Sequence, residues 1–162
     1  MLYGCSPKDE PVFAKPKQAL PIEVLYKNAY QNFTNNNYRN AIKLFEEVEK
    51  NYSYNTEWAS KALLMRGYIY YESSRYIESL EILKKFKVRY AGSKNIDYVE
   101  YLIAMCIFEQ IETVAMTQEN TLLADRQFKK IISNYPTSKY AEDSKFKLDL
   151  IQDQLAGKEM YL

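Results

Sequence analysis

Hydrophobic positions follow a helical period along most of the chain. From residue 22 onward, apolar residues recur three and four positions apart, which favours amphipathic helices over strands. The breaks between these segments hold Asn, Ser, Gly or Pro, which are typical of turns. The pattern predicts an all-α fold with helices at residues 22–35, 38–52, 57–73, 76–90, 96–115, 121–134 and 138–160.

Three of these segments repeat the same side-chain pattern. Each has a small residue followed four positions later by a large apolar one, and each ends in a turn that contains tyrosine. The pairs are Ala41 and Phe45, Ser79 and Leu83, and Ala124 and Phe128. The small residues stand 38 and then 45 positions apart, a period that indicates a stack of similar units rather than one globular core.

The helix before each of these segments also carries a small residue. Ala29 and Gly67 precede the small residues of the first two units by 12 positions, so two antiparallel helices can approach closely there. In the third unit the distance from Ala104 is 20 positions. We therefore predict an insertion of eight residues within 109–123, placed on the surface.

This layout resembles the tetratricopeptide repeat. The resemblance implies a superhelix of antiparallel helix pairs, an α-solenoid. It divides the chain into repeats at residues 22–55, 57–93 and 96–138, followed by the first helix of a truncated fourth repeat at 139–162. Residues 1–21 contain four of the five prolines and are predicted to form an extended tether.

Composition argues for binding rather than catalysis. Lysine and arginine total 22 against 21 acidic residues, so no nucleic-acid partner is expected. Histidine is absent, only four glycines are present, and no nucleophile stands beside a base. We expect no enzyme activity, cofactor or metal. The apolar run 101–108, which includes Cys106, is too short for a membrane span of about 20 residues and is predicted to be core.

The segment Leu2-Tyr3-Gly4-Cys5 has the shape of a bacterial lipoprotein box, with a small residue before a cysteine that takes a lipid. Cys5 is therefore the predicted lipid-attachment residue, and an incidental surface cysteine is the alternative. A lipid followed by a tether would hold a repeat scaffold against a membrane.

Tyrosine is abundant, with 16 copies, and it is concentrated on the leading helices of the units. In a stack of helix pairs the leading helices line the concave side, where tyrosine suits recognition. The predicted binding groove consists of Tyr26, Tyr30, Lys61, Leu64, Tyr68, Tyr98, Tyr101 and Met105. For Phe33, Tyr71 and Phe108, packing between helices is the favoured interpretation.

Two segments, 95–101 and 134–140, together with the enlarged third unit and the order of lipobox and tether, resemble the BamD family. These are lipoproteins of the outer-membrane β-barrel assembly machinery, with five repeats. The resemblance implies a periplasm-facing scaffold anchored in the outer membrane through its lipid, which works with BamA and the other machinery subunits. The implied ligands are C-terminal segments of unfolded outer-membrane proteins, whose carboxylate Lys61 and Arg66 could neutralise.

Two other interpretations of the sequence remain open. One is a periplasmic repeat adaptor for cell-envelope division or peptidoglycan-synthesis proteins. The other is a homo-oligomeric scaffold that associates through the helix at 139–162. The proteins captured from envelope extracts would distinguish these interpretations, because only a role in β-barrel assembly predicts BamA among them.

Overall fold

The computed structural model of the protein describes residues 20–113 and 118–159, and over these residues the chain is entirely helical, with no strand. The helices are α1 (Ile22–Thr34), α2 (Tyr38–Asn51), α3 (Thr56–Glu72), α4 (Tyr76–Arg89), α5 (Ile96–Thr113), α6 (Gln118–Asn134) and α7 (Lys139–Glu159). The all-α prediction is confirmed, and no helix end departs from its predicted position by more than three residues.

Each helix packs against the next one along the chain, and the leading helices also contact one another. α1 touches α3, α3 touches α5, and α5 touches α7, whereas α2, α4 and α6 make no such contacts with one another in the described residues. Helices on the inside of a curve lie closer together than those on the outside. The leading helices therefore form the inner face of a superhelix, as the repeat pattern predicts.

The small residues let paired helices approach closely. At Gly67 on α3, an added Cβ would lie 2.7 Å from the Leu83 Cδ2 atom of α4, which is closer than a real Cβ contact. At the same crossing, the buried Ser79 hydroxyl donates a hydrogen bond to the Gly67 carbonyl at 2.8 Å. In the first repeat, Ala29 and Ala41 are both fully buried.

The turns inside the first two repeats share one backbone geometry. Asn36 has φ 59° and Ser74 has φ 58°, both in the left-handed region, and they stand 38 positions apart like the small residues. After each of them, a backbone N–H reaches back five residues to a carbonyl, Asn37 to Asn32 and Arg75 to Tyr70, each at 2.8 Å. This is the Schellman arrangement that ends a helix, repeated with the period of the sequence.

Over residues 109–113 and 118–123, the described part of the predicted insertion in the third unit is helical, and Leu122 and Leu123 are exposed. α5 has 18 residues and α6 has 17, against 13 and 14 for the first pair. Helix α6 begins three residues earlier than predicted and buries Thr121 completely. The additional residues lengthen the pair because a continued helix satisfies its own backbone hydrogen bonds.

The core consists of two clusters. One fills the first repeat around Phe45, and the other runs from α3 to α7 around Phe86 and Phe128. Cys106 is fully buried in the second cluster, as the apolar run predicts, and its thiol donates to the Ser79 hydroxyl at 3.3 Å. Across residues 20–113 and 118–159, no helix has the length and apolar content needed to cross a bilayer.

The Cys106 thiol should be inert in the folded protein. Burial raises its pKa to about 11, although the hydrogen bond between the thiol and Ser79 acts in the opposite direction. In a Cys5→Ser variant, whose only thiol is Cys106, we expect no measurable reaction with Ellman's reagent at pH 8 and complete reaction in urea. Complete labelling of the native variant within minutes would show that Cys106 is accessible.

Candidate functional site

Six aromatic side chains lie along the inner face from α1 to α7 in two contacting groups, one of Tyr30, Phe33 and Tyr68 and the other of Tyr98, Tyr101 and Tyr140. At the α1 end, Tyr30 contacts Phe33 with ring centroids 5.9 Å apart, and Phe33 contacts Tyr68 edge-on at 5.8 Å. Tyr30 is 48% exposed, so this end of the row is open to solvent. We call this set the aromatic row.

At its other end the row reaches α7. The Tyr140 ring lies 5.1 Å from Tyr98 and 5.0 Å from Tyr101, nearly parallel to the second. The Tyr101 hydroxyl donates to the Asp143 carboxylate at 2.6 Å. Helices α5 and α7 are therefore joined by stacked rings and by one hydrogen bond to a charged acceptor.

The phenols of Tyr68, Tyr98 and Tyr101 are neutral at physiological pH. Burial raises the pKa of Tyr98 above its ordinary value, and the neighbouring phenols of Tyr68 and Tyr140 act in the same direction. Burial also raises the pKa of Tyr101, and the hydrogen bond to Asp143 raises it further. For Tyr68, the Glu72 carboxylate adds to the effect of burial. The row offers apolar ring surface together with hydroxyl groups.

Two of the predicted groove residues serve packing instead. Tyr26 lies between Phe45 and Trp58, with ring centroids 5.1 and 4.9 Å away. Met105 is only 6% exposed and belongs to the larger core cluster, so it is removed from the candidate surface. Leu64 is partly buried against the same cluster.

Lys61 lies apart from the aromatic row. Its Nζ atom is 2.7 Å from Glu57, one turn earlier on α3, and 5.2 Å from the centre of the Trp58 ring. The ion pair is exposed to solvent, so it leaves the ammonium group accessible but partly neutralised.

Arg66 faces away from the row, which corrects its suggested role beside Lys61. Its guanidinium donates to Glu49 on α2 at 2.7 Å, and a second nitrogen lies 3.9 Å from Glu46. On α3, Leu63 and Arg66 share the face turned toward α2 and α4, whereas Leu64 and Tyr68 share another face. Arg66 is therefore a structural cation of the outer side.

Sequence reasoning missed Tyr140. The predicted groove used the leading helices of three units only and left out α7. On α7, Tyr140 lies next to Ala141 and one turn before Ser144, both buried. Cys5, the predicted lipid-attachment residue, lies outside the described residues.

The chemistry of this face is that of a binding surface. Among residues 20–113 and 118–159, no group of three or more side chains could hold a metal ion. Aromatic rings with hydroxyl tips provide contact area and hydrogen bonds at little entropic cost. The fold is an α-solenoid built from tetratricopeptide-like helix pairs, with the aromatic row on its inner face.

Comparison with known proteins gives the family. The model of the YfiO family, described as outer membrane lipoprotein, matches residues 18–162, and the chain belongs to this family. The outer membrane protein assembly factor BamD of Caulobacter vibrioides is 36% identical over 140 residues, which are 86% of this chain and 46% of that protein. BamD of Rickettsia prowazekii is 32% identical over 162 residues, 100% of this chain and 62% of that protein.

The chain therefore spans from about half to three fifths of the length of these curated relatives. A solved structure with a similar fold is the type III secretion chaperone SycD of Yersinia enterocolitica, crystallised with a peptide of the translocator YopD. Its TM-score is 0.62 at 17% identity, covering 82% of this chain and 93% of SycD. At this identity the likeness concerns the fold alone, and it confirms the helical-repeat architecture.

Proposed function

We propose that this chain is the repeat scaffold of an outer-membrane β-barrel assembly factor, and that its aromatic row binds extended segments of unfolded outer-membrane proteins. Membership of the outer membrane lipoprotein family supports the first part. The second part rests on one observation, the six aromatic side chains that line the inner face in two contacting groups.

The spacing of the row suits an extended peptide. Ring centroids of neighbouring members lie 5.0–5.9 Å apart where they touch. In an extended chain, side chains on one face recur every second residue, at about 6.7 Å. Alternating aromatic side chains of a ligand can therefore contact successive rings, while the phenol oxygens can accept hydrogen bonds from ligand N–H groups.

The implied partners follow from the family. We propose that the scaffold works with BamA and other subunits of the assembly machinery, and that a lipid on Cys5 holds it at the periplasmic face of the outer membrane. Metabolic labelling of the full-length protein with radioactive palmitate, compared with a Cys5→Ser variant, tests the anchor. Capture of BamA from envelope extracts by the full-length protein supports the assembly role, whereas capture of division proteins alone favours the adaptor alternative.

A homo-oligomeric scaffold is the second candidate, favoured by one observation on α7. Phe146 is well exposed there, and Leu150 is partly exposed on the same side of the helix. Association through this face would be abolished by Phe146→Asp. A monomer by sedimentation at high protein concentration would rule it out.

The aromatic row can be tested by removing two of its members. We expect Tyr68→Ala with Tyr98→Ala to weaken binding of an aromatic, C-terminal outer-membrane-protein peptide by about 1–3 kcal/mol, the usual range for a recognition anchor. Fluorescence anisotropy with a labelled peptide measures this, and circular dichroism verifies the fold.

Tyr54→Ala is the matched control, because Tyr54 is a tyrosine at 78% exposure that lies outside the row. Its removal should leave the peptide affinity unchanged. Equal affinity of the folded double variant and the original protein would contradict a role for the row in peptide binding.

A further inference from the structure

A crevice opens on the outer face, opposite the aromatic row. Helices α2 and α4 do not touch each other in the described residues, and α3 forms the floor between them. The crevice has a volume of about 630 Å³. Its lining residues are Glu49, Leu63, Arg66, Glu81, Lys84, Lys85, Val88 and Arg89.

The charges of the crevice are unbalanced. Four cations line it against two carboxylates, and one of these carboxylates, Glu49, is already paired with Arg66 inside. Lys84, Lys85 and Arg89 stand on the exposed rim, with Glu81 as the remaining acidic residue. In the interior, the Arg66 Nε atom is buried without a hydrogen-bond partner. A ligand with carboxylates would balance the positive rim.

The rim also carries exposed apolar surface. Val88 is 88% exposed at the edge of the crevice, and Leu63 lies in its floor. Ile77, 11 positions before Val88, is exposed on the same side of α4, with Lys84 and Lys85 between them. Branched apolar side chains beside lysines suit an occupant that is both acidic and apolar.

We propose that this crevice is a second docking site, for an acidic segment of a partner protein that inserts an apolar side chain between α2 and α4. Carboxylates of the segment pair with Lys84, Lys85 and Arg89, and its apolar side chain packs on Val88 and Leu63. The site is separate from the aromatic row, since α3 stands between the two faces. One scaffold can therefore hold a client and a partner at the same time.

The probe is a short fluorescein-labelled peptide that repeats Leu-Asp-Glu, with a Leu-Lys-Lys repeat as the probe of opposite charge. We expect the acidic probe to bind, and Lys84→Glu with Lys85→Glu to weaken it by about tenfold or more at low salt. Val88→Asp should weaken it as well. All three positions are exposed, so the variants should fold.

The matched control is Arg39→Glu with Lys43→Glu, which makes the same change of charge on exposed positions of α2 outside the crevice. This control and the Tyr68→Ala, Tyr98→Ala variant should both bind the acidic probe normally. The proposal is overturned if the crevice variants bind as the original protein does, or if the control loses as much affinity. Equal binding of the basic probe, or binding only to vesicles of anionic phospholipid, would also overturn it.

Discussion

Phe86→Ala should lower the free energy of unfolding by about 3–5 kcal/mol. Phe86 is fully buried on α4, in the cluster that runs from α3 to α7, and its ring contacts Tyr90 at 5.3 Å between centroids. Truncation removes the buried ring and leaves a cavity that helices held on both sides cannot close. Because domains are stable by only about 5–15 kcal/mol, this is a large part of the total.

Val88→Ala is the matched control for this change. Val88 lies two residues further along the same helix and is 88% exposed, so its truncation should change stability by less than about 0.5 kcal/mol. Urea unfolding followed by circular dichroism measures both variants. Similar stabilities for Phe86→Ala and Val88→Ala would contradict the placement of Phe86 in the core.

Arg66→Met should also destabilise the protein by about 3–5 kcal/mol at neutral pH, because it leaves a buried carboxylate without its partner. The Arg66 and Glu49 side chains are only 13% and 10% exposed, and their closest atoms are 2.7 Å apart. In contrast, Lys61→Met breaks an exposed pair with Glu57 and should change stability little.

This loss should depend on pH in a defined direction. Burial raises the pKa of Glu49 above its ordinary value, and Arg66 opposes that rise. Without Arg66 the pKa rises further, so the folded state binds the proton more tightly than the unfolded state does. The defect is then complete above the folded-state pKa of Glu49 and shrinks as the pH falls toward the ordinary glutamate value of about 4.3.

Urea titrations of Arg66→Met at pH 7 and near pH 4.5 measure this dependence. The double variant Arg66→Met with Glu49→Gln has no carboxylate at this position, so its stability relative to the original protein should vary much less with pH. A defect in Arg66→Met that is the same at both pH values would show that Glu49 is not the buried group responsible.

Much of the fold was predictable because the repeat appears in the sequence as a regular pattern of small and large side chains. A small residue is required wherever two helices cross closely, and Gly67 and Ser79 occupy one such crossing directly. The Schellman turns at Asn36 and Ser74 follow the same period. Local rules of this kind need no knowledge of distant neighbours.

The candidate site was only partly predictable. The position of a residue on a helix predicts which way its side chain points, but not which side chains it contacts. Tyr26 belongs to the predicted groove, but its ring packs edge-on against Trp58 from α3. Met105 has the right position on α5 and is nevertheless buried. The suggested role of Arg66 beside Lys61 rests on their proximity to the aromatic positions in the sequence, but helical geometry turns the two cations to different partners.

The ion pairs of the buried Glu100 were also not predictable from the sequence. It is only 5% exposed and accepts from Lys87 on α4 at 2.7 Å and from Lys130 on α6 at 3.4 Å. These partners lie 13 and 30 positions away in the sequence. No local pattern connects them, and an ion pair across three helices appears only when the superhelix is assembled.

The most direct measurement of the central proposal is a nitrogen-15 NMR titration of the protein with an aromatic peptide from the C-terminus of an outer-membrane protein. We expect saturable shift changes concentrated at Tyr30, Tyr68, Tyr98, Tyr101 and Tyr140 on the inner face, with residues of the outer crevice such as Lys85 and Val88 unchanged. Changes confined to the outer face, or no saturable change on α1, α3, α5 and α7, would contradict the aromatic row as the peptide-binding surface.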